Sequence, residues 1–345
     1  MGVFRRIAGI LCLLVGLVIV LLAITLAAVL HFNAPPADSV SGEILFEVRE
    51  GESALAVGKR LEEEGLIKNR NFWYLLARID KEYIKTGTYL LEFPQSQLAL
   101  RSVLVSGRQL QLRVTIPEGV TLKKAGHILE EAEICPAGDF LDASVDPAML
   151  EAYGIKGPSM EGFLYPETYF FPKGYPADKV VQVMADTFRQ RLEAIDPKWA
   201  GLNADEIYRR VIIASIVERE YRVDEEAALM AGVFYNRLKI GMALQSCATV
   251  EYIITEIQGK PHPEVLYTRD TEIRDPYNTY IRPGLPPGPI SAPGETALRA
   301  AFSPEASDYL YFRLVDASAG RHYFSRTLDD HIKAGRLYVK GGGGR

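Results

Sequence analysis

The segment IYRRVIIASIVEREY, residues 207–221, predicts a helix that is buried on nearly all sides. Every residue from 211 to 217 is apolar or small, and a helix without a polar face belongs in a protein core. The preceding residues 203–206, Asn-Ala-Asp-Glu, are typical of a helix N-cap. This buried helix and the residues around it give the chain its fold and its candidate chemistry.

Glu218 directly follows the apolar run of this helix. Its neighbours one and two turns earlier are Ser215, Ala214 and Val211, small side chains that leave a hollow in front of the carboxylate. Because desolvation disfavours the charged form, Glu218 is expected to have a raised pKa and to donate a proton near neutrality. Glu220 points about 200° away around the helix, and we expect it to be solvated or paired with an arginine. The alternative is that both glutamates simply end a buried helix.

Polar side chains downstream are suited to binding sugar hydroxyls. Asn278, Thr279 and Tyr280 lie in a proline- and glycine-rich reach over residues 275–291, which is either a solvated excursion or a rigid wall of a cleft. Gln245 follows a helix that ends in FYNRL, residues 234–238. A short helix at 297–302 and a hairpin over 309–324 complete this half.

Upstream, residues 161–172 (EGFLYPETYFFP) hold five aromatic side chains, two carboxylates and two prolines. The prolines exclude a regular helix. Such aromatics suit either a core seam or a wall on which sugars stack, and Glu161 and Tyr165 are candidate glycan contacts on the second interpretation. A long amphipathic helix is predicted next, over residues 177–194.

The first half of the chain predicts a small α+β module. Strands are expected at 44–48, 87–91 and 110–116, with helices that begin after Ser53 and Asn69 and a third over 98–104. Residues 48–53 resemble residues 116–121, each with a strand end, an acidic-glycine turn and a helix cap. The resemblance is either chance or a pair of small strand-helix modules of the kind that grip polysaccharide.

An N-terminal segment predicts a membrane anchor. Arg5 and Arg6 precede 24 uncharged residues, 7–30, which as a helix span roughly 36 Å, enough for a hydrocarbon core of about 30 Å. The apolar region of a cleaved signal peptide is shorter, about 7–15 residues. The two arginines orient the N-terminus towards the cytoplasm. Residues 34–42 read as a proline-rich linker, and residues 341–344 as a disordered glycine tail.

Composition excludes several classes of protein. The chain has 39 Lys+Arg against 44 Asp+Glu, a net charge of −5, which argues against a nucleic-acid partner. Three cysteines cannot form a disulfide scaffold, and Cys135 and Cys247 are not expected to form a required disulfide. The five histidines lack zinc spacing, and no nucleotide loop, nucleophile elbow or Ser-x-x-Lys motif is present. Carboxylate acid/base chemistry, without metal or cofactor, is what remains.

Several motifs together resemble one family, the MltG/YceG-like endolytic murein transglycosylases. The likeness covers almost the whole chain beyond the anchor, with the motifs in the family's order. These motifs are EGFLYPET (161–168), ASIVERE (214–220), FYNRL (234–238), Gly241-Met242-x-Leu244-Gln245-Ser246, YNTY (277–280), GLPPGPI (284–290) and His322-x-Phe324. The chain departs from the family at Cys247-Ala248, where Asp-Pro is usual.

The resemblance implies an α+β fold with five regions. These are a cytoplasmic N-terminus (1–6), a single transmembrane helix (7–30), a linker (31–42), a LysM-like module (43–115) and a catalytic domain (116–340). It also implies that Glu218 is the catalytic acid/base, and Gln245, Asn278, Thr279, Tyr280, Glu161 and Tyr165 are our candidates for substrate binding.

The implied activity is that of a lyase. It cleaves the MurNAc-GlcNAc bond in nascent peptidoglycan strands, leaves 1,6-anhydroMurNAc ends and so terminates elongation. Ordinary glycosidases use two carboxylates, whereas a transglycosylase uses the muramic 6-hydroxyl, so one glutamate serves both steps. The implied location is the inner membrane, with a periplasmic catalytic domain and with peptidoglycan synthases, the penicillin-binding proteins, as partners. The alternatives are a non-catalytic, membrane-anchored glycan-binding scaffold for these synthases and a carboxylate hydrolase of another polysaccharide.

Overall fold

The computed structural model describes residues 2–37 and 41–339, and they form two compact units, one up to Gln111 and one from Leu112 onwards. The fold is mixed α+β, as predicted. The predicted glycine tail, and residues 38–40 of the predicted linker, lie outside the described residues.

The first unit holds a long apolar helix and a small α+β module. Its elements are α1 (Gly2–Asn33), β1 (Gly42–Val48), α2 (Ala54–Glu63), α3 (Arg70–Asp80), β2 (Gly87–Phe93) and α4 (Gln97–Ser106). The strands β1 and β2 pair antiparallel. Helices α2 and α3 begin at the predicted caps, because Ser53 Oγ accepts from the Ala56 amide and Asn69 Oδ1 from the Phe72 amide. Trp73 is fully buried in the core of this module.

The stretch Gly9–Asn33 within α1 is long and apolar enough to cross a membrane. Its side chains find no burial inside the protein, and Leu13, for example, is 76% exposed. A surface this apolar is unfavourable in water, so the helix fits a single-pass anchor.

The second unit is built mainly of helices, with two pairs of short strands, β3–β4 and β5–β6. Three short helical turns of 3₁₀ or π type lie at Trp199–Gly201, Ile253–Ile257 and Thr268–Glu272. The other elements are β3 (Gln111–Thr115), α5 (Leu122–Glu131), α6 (Ala137–Val145), α7 (Pro147–Tyr153), β4 (Thr168–Pro172), α8 (Ala177–Ile195), α9 (Ala204–Glu220), α10 (Asp224–Lys239), α11 (Cys247–Tyr252), α12 (Glu295–Phe302), β5 (Tyr311–Asp316), β6 (Arg321–Ser325) and α13 (Leu328–Val339).

Helix α9 lies in the core of this unit, as its sequence predicts. All seven residues from Val211 to Val217 are buried, and the helix packs against α10 and α12. The aromatic run at 161–172 also belongs to the core. Four of its five rings are buried (Phe163, Tyr165, Tyr169 and Phe171), which favours the core-seam interpretation.

The internal resemblance between residues 48–53 and 116–121 is borne out locally. Gly51 and Gly119 both adopt left-handed backbone conformations, with φ of 71° and 74°. Thr121 then caps α5 as Ser53 caps α2, by accepting from an amide three residues later. The two stretches therefore share a strand, turn and cap, and the second brings Glu118 next to α9.

The N-terminus of α9 is fixed by a reciprocal pair of hydrogen bonds. Asn203 Oδ1 accepts from the Glu206 amide at 2.9 Å, and Glu206 Oε2 accepts from the Asn203 amide at 3.2 Å. We expect Asn203→Ala to lower the free energy of unfolding by about 1 kcal/mol, because one helix amide loses its acceptor. Urea denaturation measures this loss, with the exposed Arg209→Ala variant as the control; equal curves for the two variants would contradict the capping role.

Candidate active site

The two glutamates at the end of α9 lie in different surroundings. Two residues of helix correspond to a rotation of about 200°, and the side chains accordingly contact different parts of the chain. Glu218 contacts the residues that open α12, and Glu220 contacts those that open α11.

Glu218 lies at the N-terminus of α12 together with a second carboxylate. The Gly294 amide donates to Glu218 Oε2 at 2.9 Å, and the Glu295 amide donates to Glu118. The first amides of a helix have no partner within the helix, and the two side chains accept hydrogen bonds from two of these amides. A Cβ at Gly294 would collide with the carboxylate of Glu118, which explains why a glycine occupies this position.

The hollow expected in front of Glu218 is filled by the proline-rich reach. The Ile290 amide donates to Ser215 Oγ at 3.0 Å, and Ser291 Oγ donates to the Ser215 carbonyl, also at 3.0 Å. The small residues on this side of α9 therefore admit a neighbouring backbone. The expectation of an open hollow was wrong, because the backbone of residues 290–291 occupies it.

The expected pKa shift of Glu218 is present. The pKa of Glu218 is raised from 4.5 to about 8. Burial is the main cause, and the negative charges of Glu118 and Asp224 add to it, while the Gly294 amide and the charge of Arg219 oppose it. The pKa of Glu118 is also raised, first by desolvation and then by the charge of Asp224. Glu218 therefore keeps its proton at neutral pH.

This shift predicts a pH-dependent difference in stability. In the unfolded chain Glu218 ionises above about pH 4.5, whereas in the folded chain it stays neutral up to about pH 8. Its contribution to stability is therefore complete below pH 4.5 and is lost as the pH rises from 4.5 to 8. We expect the stability of Glu218→Gln relative to the wild type to increase over this window, by on the order of 3 kcal/mol.

Urea denaturation at several pH values across this window measures the difference. The exposed Glu225→Gln variant is the matched control for the loss of a carboxyl group. A Glu218→Gln difference that does not change with pH would contradict the raised pKa.

Glu220 lies on the wall of a cavity of about 590 Å³. Ser246 Oγ donates to Glu220 Oε1 at 2.5 Å, and the Ala248 amide donates to the same carboxylate. Burial raises the pKa of Glu220, and the charge of Glu251 raises it further, while His322 lowers it. Glu220 is thus partly exposed at the cavity, as the first of the two expectations for it has it, and within the described part of the chain its hydrogen-bond partners are a hydroxyl and an amide rather than an arginine.

Two predicted substrate residues line the same cavity as Glu220. These are Gln245 and Tyr280, which join Glu220 there, while Glu218 is not among the lining residues. Gln245 is exposed and has a left-handed backbone with φ of 52°, which is strained for a residue with a side chain. Strain of this kind is often found at functional sites. The complete lining is Arg219, Glu220, Arg222, Arg237, Leu244, Gln245, Cys247, Ala248, Glu251, Tyr280, Tyr311, Phe312, Arg313, Leu314, His322, Leu328 and His331.

Asn278 and Thr279 are buried behind this cavity. The Asn278 amide group donates to the carbonyls of Thr271 and Ile273, at 2.9 and 2.7 Å. Thr279 Oγ1 accepts from the Ser246 amide at 3.1 Å. The contacts of both side chains are thus within the protein, and they fix the backbone next to Gln245 and Tyr280. Their predicted role in binding glycan stays a prediction.

Glu161 and Tyr165 lie apart from this cavity, in the core of the same unit. Glu161 Oε2 accepts from the Leu122 amide at the start of α5, and burial raises the pKa of Glu161 to about 8. The Tyr165 carbonyl accepts from the Tyr169 hydroxyl at 2.7 Å. The predicted glycan contacts of these two residues also stay predictions.

Cys247 lies on the cavity wall with its thiol 3.0 Å from the Tyr280 hydroxyl. The three cysteines are free, with Cys135 buried and Cys247 exposed. That these two do not form a required disulfide stays a prediction. The Cys247 thiol, in contact with the Tyr280 phenol, therefore lies at the position where the family resemblance implies an aspartate.

The sequence analysis missed several charged residues of the cavity. Arg237 is buried and donates to the carbonyls of Leu310 and Leu244, both at 2.6 Å. His322 Nδ1 lies 2.8 Å from the buried carboxylate of Glu226. Arg237 could have been singled out from the sequence, because it is the charged residue within FYNRL. His322 and Glu226 are 96 positions apart in the chain, so no local sequence pattern reveals their contact.

Within residues 2–37 and 41–339, no three His, Cys, Asp or Glu side chains are grouped so that they could hold a metal ion. The cavity presents a partly exposed carboxyl group, that of Glu220, whose pKa is raised chiefly by desolvation. Such a group can donate a proton to a leaving oxygen and can later accept one.

Comparison with known proteins identifies related chains. The sequence profile of the YceG-like family matches residues 46–336. An endolytic murein transglycosylase of Bacillus subtilis (strain 168) is 30% identical over 310 residues, which cover 84% of this chain and 83% of that protein. One of Streptococcus pneumoniae is 30% identical over 318 residues, 82% of this chain. The chain spans only 56% of the length of that streptococcal relative.

A solved structure agrees with these sequence matches. The crystal structure of a yceG-like protein of Listeria monocytogenes superposes with a TM-score of 0.56 at 29% identity. The superposition covers 85% of this chain and 99% of the Listeria chain.

Proposed function

The chain belongs to the YceG-like family, and we propose on this basis that it is an endolytic murein transglycosylase. Its relatives of that name support the activity, and the substrate is then the glycan strand of peptidoglycan. The observation that carries the proposal is the half-buried Glu220 on the wall of a cavity of about 590 Å³, a size suited to a few sugar units.

Glu220 is the carboxyl group that the geometry supports best as the acid/base. It lines the cavity with Gln245 and Tyr280, and the Ser246 hydroxyl and Ala248 amide hold it in one orientation. Glu218, which the sequence analysis favours, is the second candidate, and its pKa of about 8 supports it. Its contact with the Gly294 amide instead suits a helix-capping role.

The proposed reaction needs one carboxyl group. Protonated Glu220 gives its proton to the glycosidic oxygen as the bond from that oxygen to C1 of muramic acid breaks. The carboxylate then accepts the proton of the muramic 6-hydroxyl, whose oxygen bonds to C1. The products are a free 4-hydroxyl on one strand and a 1,6-anhydro end on the other, without consumption of water. Glu251, the other carboxylate of the cavity, is ion-paired to Arg219 at 2.9 Å.

The apolar helix supports a membrane location for this activity. Gly9–Asn33 fits a single-pass anchor, and Arg5 and Arg6 before it favour a cytoplasmic N-terminus. The domain after the helix is then periplasmic, at the inner membrane where new strands emerge. We propose peptidoglycan synthases as partners, since a tethered enzyme acts close to the membrane that holds it.

The two units support a proposal that glycan binding and catalysis lie in different parts of the chain. We propose that the module of residues 43–115 is LysM-like and grips glycan, and that residues 116–340 form the catalytic domain. The two-stranded module with its own buried core is consistent with an independent binding unit. The strand β3 pairs with β4 of the second unit. The first compact unit therefore ends at Gln111, four residues before the end of the module at residue 115.

Product analysis of purified glycan strands tests the proposed function. The protein in detergent micelles is expected to release fragments with 1,6-anhydro ends. Each such fragment is lighter than the corresponding fragment with a reducing end by one water, about 18 Da. Reducing ends would instead indicate a hydrolase. Binding of strands without any cleavage would indicate the non-catalytic scaffold.

A further inference from the structure

The cavity beside Glu220 is cationic, although the chain as a whole carries a net charge of −5. Its lining includes four arginines but two carboxylates, namely Arg219, Arg222, Arg237 and Arg313 against Glu220 and Glu251. A cavity lined with an excess of one charge raises the local concentration of ligands of the opposite charge. The excess therefore favours a substrate that brings a negative group.

Two of the four arginines have partners inside the protein. Arg219 is ion-paired to Glu251, and Arg237 donates to backbone carbonyls. Among the described residues, Arg222 and Arg313 make no ion pair and donate no side-chain hydrogen bond. Their guanidinium groups thus remain available to a ligand in the cavity.

The position of Arg313 is built into the fold. A Cβ at Gly335 in α13 would collide with the Arg313 guanidinium, so the glycine leaves the space that this group occupies. His331, on the same helix and in the same cavity, has a buried Nδ1 with no hydrogen-bond partner in the described part of the chain.

We propose that Arg313 and Arg222 form a subsite for a carboxylate carried by the glycan strand, next to Glu220. This inference rests on the proposed function, since the carboxylates of murein belong either to the lactyl group of muramic acid or to the stem peptide. A guanidinium group binds a carboxylate through two parallel hydrogen bonds, which fixes orientation as well as charge. The subsite thereby selects murein over neutral polysaccharides and sets the register of the strand in the cavity.

Three kinds of strand distinguish the sources of the carboxylate. Peptide-bearing strands carry the stem-peptide carboxylates, and amidase-treated strands carry the free lactyl carboxylate. Amidase-treated strands whose carboxylates are converted to methylamides carry neither. The rate of formation of anhydro ends, as kcat and KM separately, is measured for each with the full chain in detergent.

Arg313→Gln and Arg222→Gln are expected to lower kcat/KM by about tenfold to a hundredfold on one of the carboxylate-bearing strands, mainly through KM. The neutral strands should show no such loss, and added salt should reduce the loss on the charged ones. Gly335→Ala should reproduce the Arg313 effect by displacing the guanidinium group. The exposed Arg326→Gln variant, outside the cavity lining, is the matched control.

Equal losses on neutral and charged strands, or no loss on either charged strand, would overturn the subsite. Calorimetric binding of the same strands to Glu220→Gln, with and without Arg313→Gln, tests it independently of turnover. A wild-type protein that makes no anhydro ends overturns the proposed function, whereas unchanged binding on loss of Arg313 overturns the subsite alone.

Discussion

Replacement of Glu220 by glutamine is expected to lower the rate of strand cleavage by about 10²–10⁴-fold, the usual cost of losing a general acid/base. Glutamine keeps the size of the side chain and its acceptor for the Ser246 hydroxyl, so the cavity should keep its shape. The variant loses only the proton that the glycosidic oxygen needs. The measurement is the rate of appearance of anhydro ends at saturating strand concentration, with circular dichroism to check the fold.

The matched variant is Glu218→Gln, two residues earlier on the same helix. Glutamine there can still accept from the Gly294 amide, so α12 should remain capped and cleavage should fall by less than about tenfold. A reversed order, with Glu218→Gln the more damaging, would show that the carboxyl group at α12 is the acid/base. If both variants were as active as the wild type, neither glutamate of α9 would be the acid/base.

The elements that depend on neighbouring residues were predictable from the sequence. The helix expected at 177–194 spans Ala177–Ile195, and the caps expected at Ser53, Asn69 and Asn203 are all present. Each of these signals is local, because a cap bonds an amide two or three residues away and an apolar face repeats every turn. The burial of α9 was predictable for the same reason.

The surroundings of the two glutamates were not predictable in this way. Helical geometry correctly separates Glu218 from Glu220, but it does not tell which of them faces a cavity. That is decided by distant chain: the amide bonded to Glu218 is 76 residues away, and the hydroxyl bonded to Glu220 is 26 residues away. A raised pKa was rightly expected for Glu218, yet burial raises the pKa of both carboxyl groups. The shift therefore did not discriminate between them.

Arg237→Ala is expected to destabilise the second unit by about 3–5 kcal/mol, because it leaves buried carbonyls without donors. The guanidinium group donates to Leu310 and Leu244, and its carbon lies 5.3 Å from the Tyr311 ring centre. Each buried carbonyl that loses its donor costs about 1–3 kcal/mol, and the cation–π contact adds about 1 kcal/mol. Urea denaturation of the variant, compared with the exposed Arg282→Ala, measures the loss.

Arg237 also joins the parts of the chain that form the cavity. It lies on α10, and it bonds both the start of the hairpin at Leu310 and the residue before Gln245. A lysine at this position carries the same charge but cannot reach both carbonyls with one ammonium group, so Arg237→Lys should recover only part of the stability. Cleavage should fall in both variants in proportion to the displacement of Gln245. If Arg237→Lys is as stable and as active as the wild type, charge alone suffices and the two-carbonyl bridge has no role in shaping the cavity.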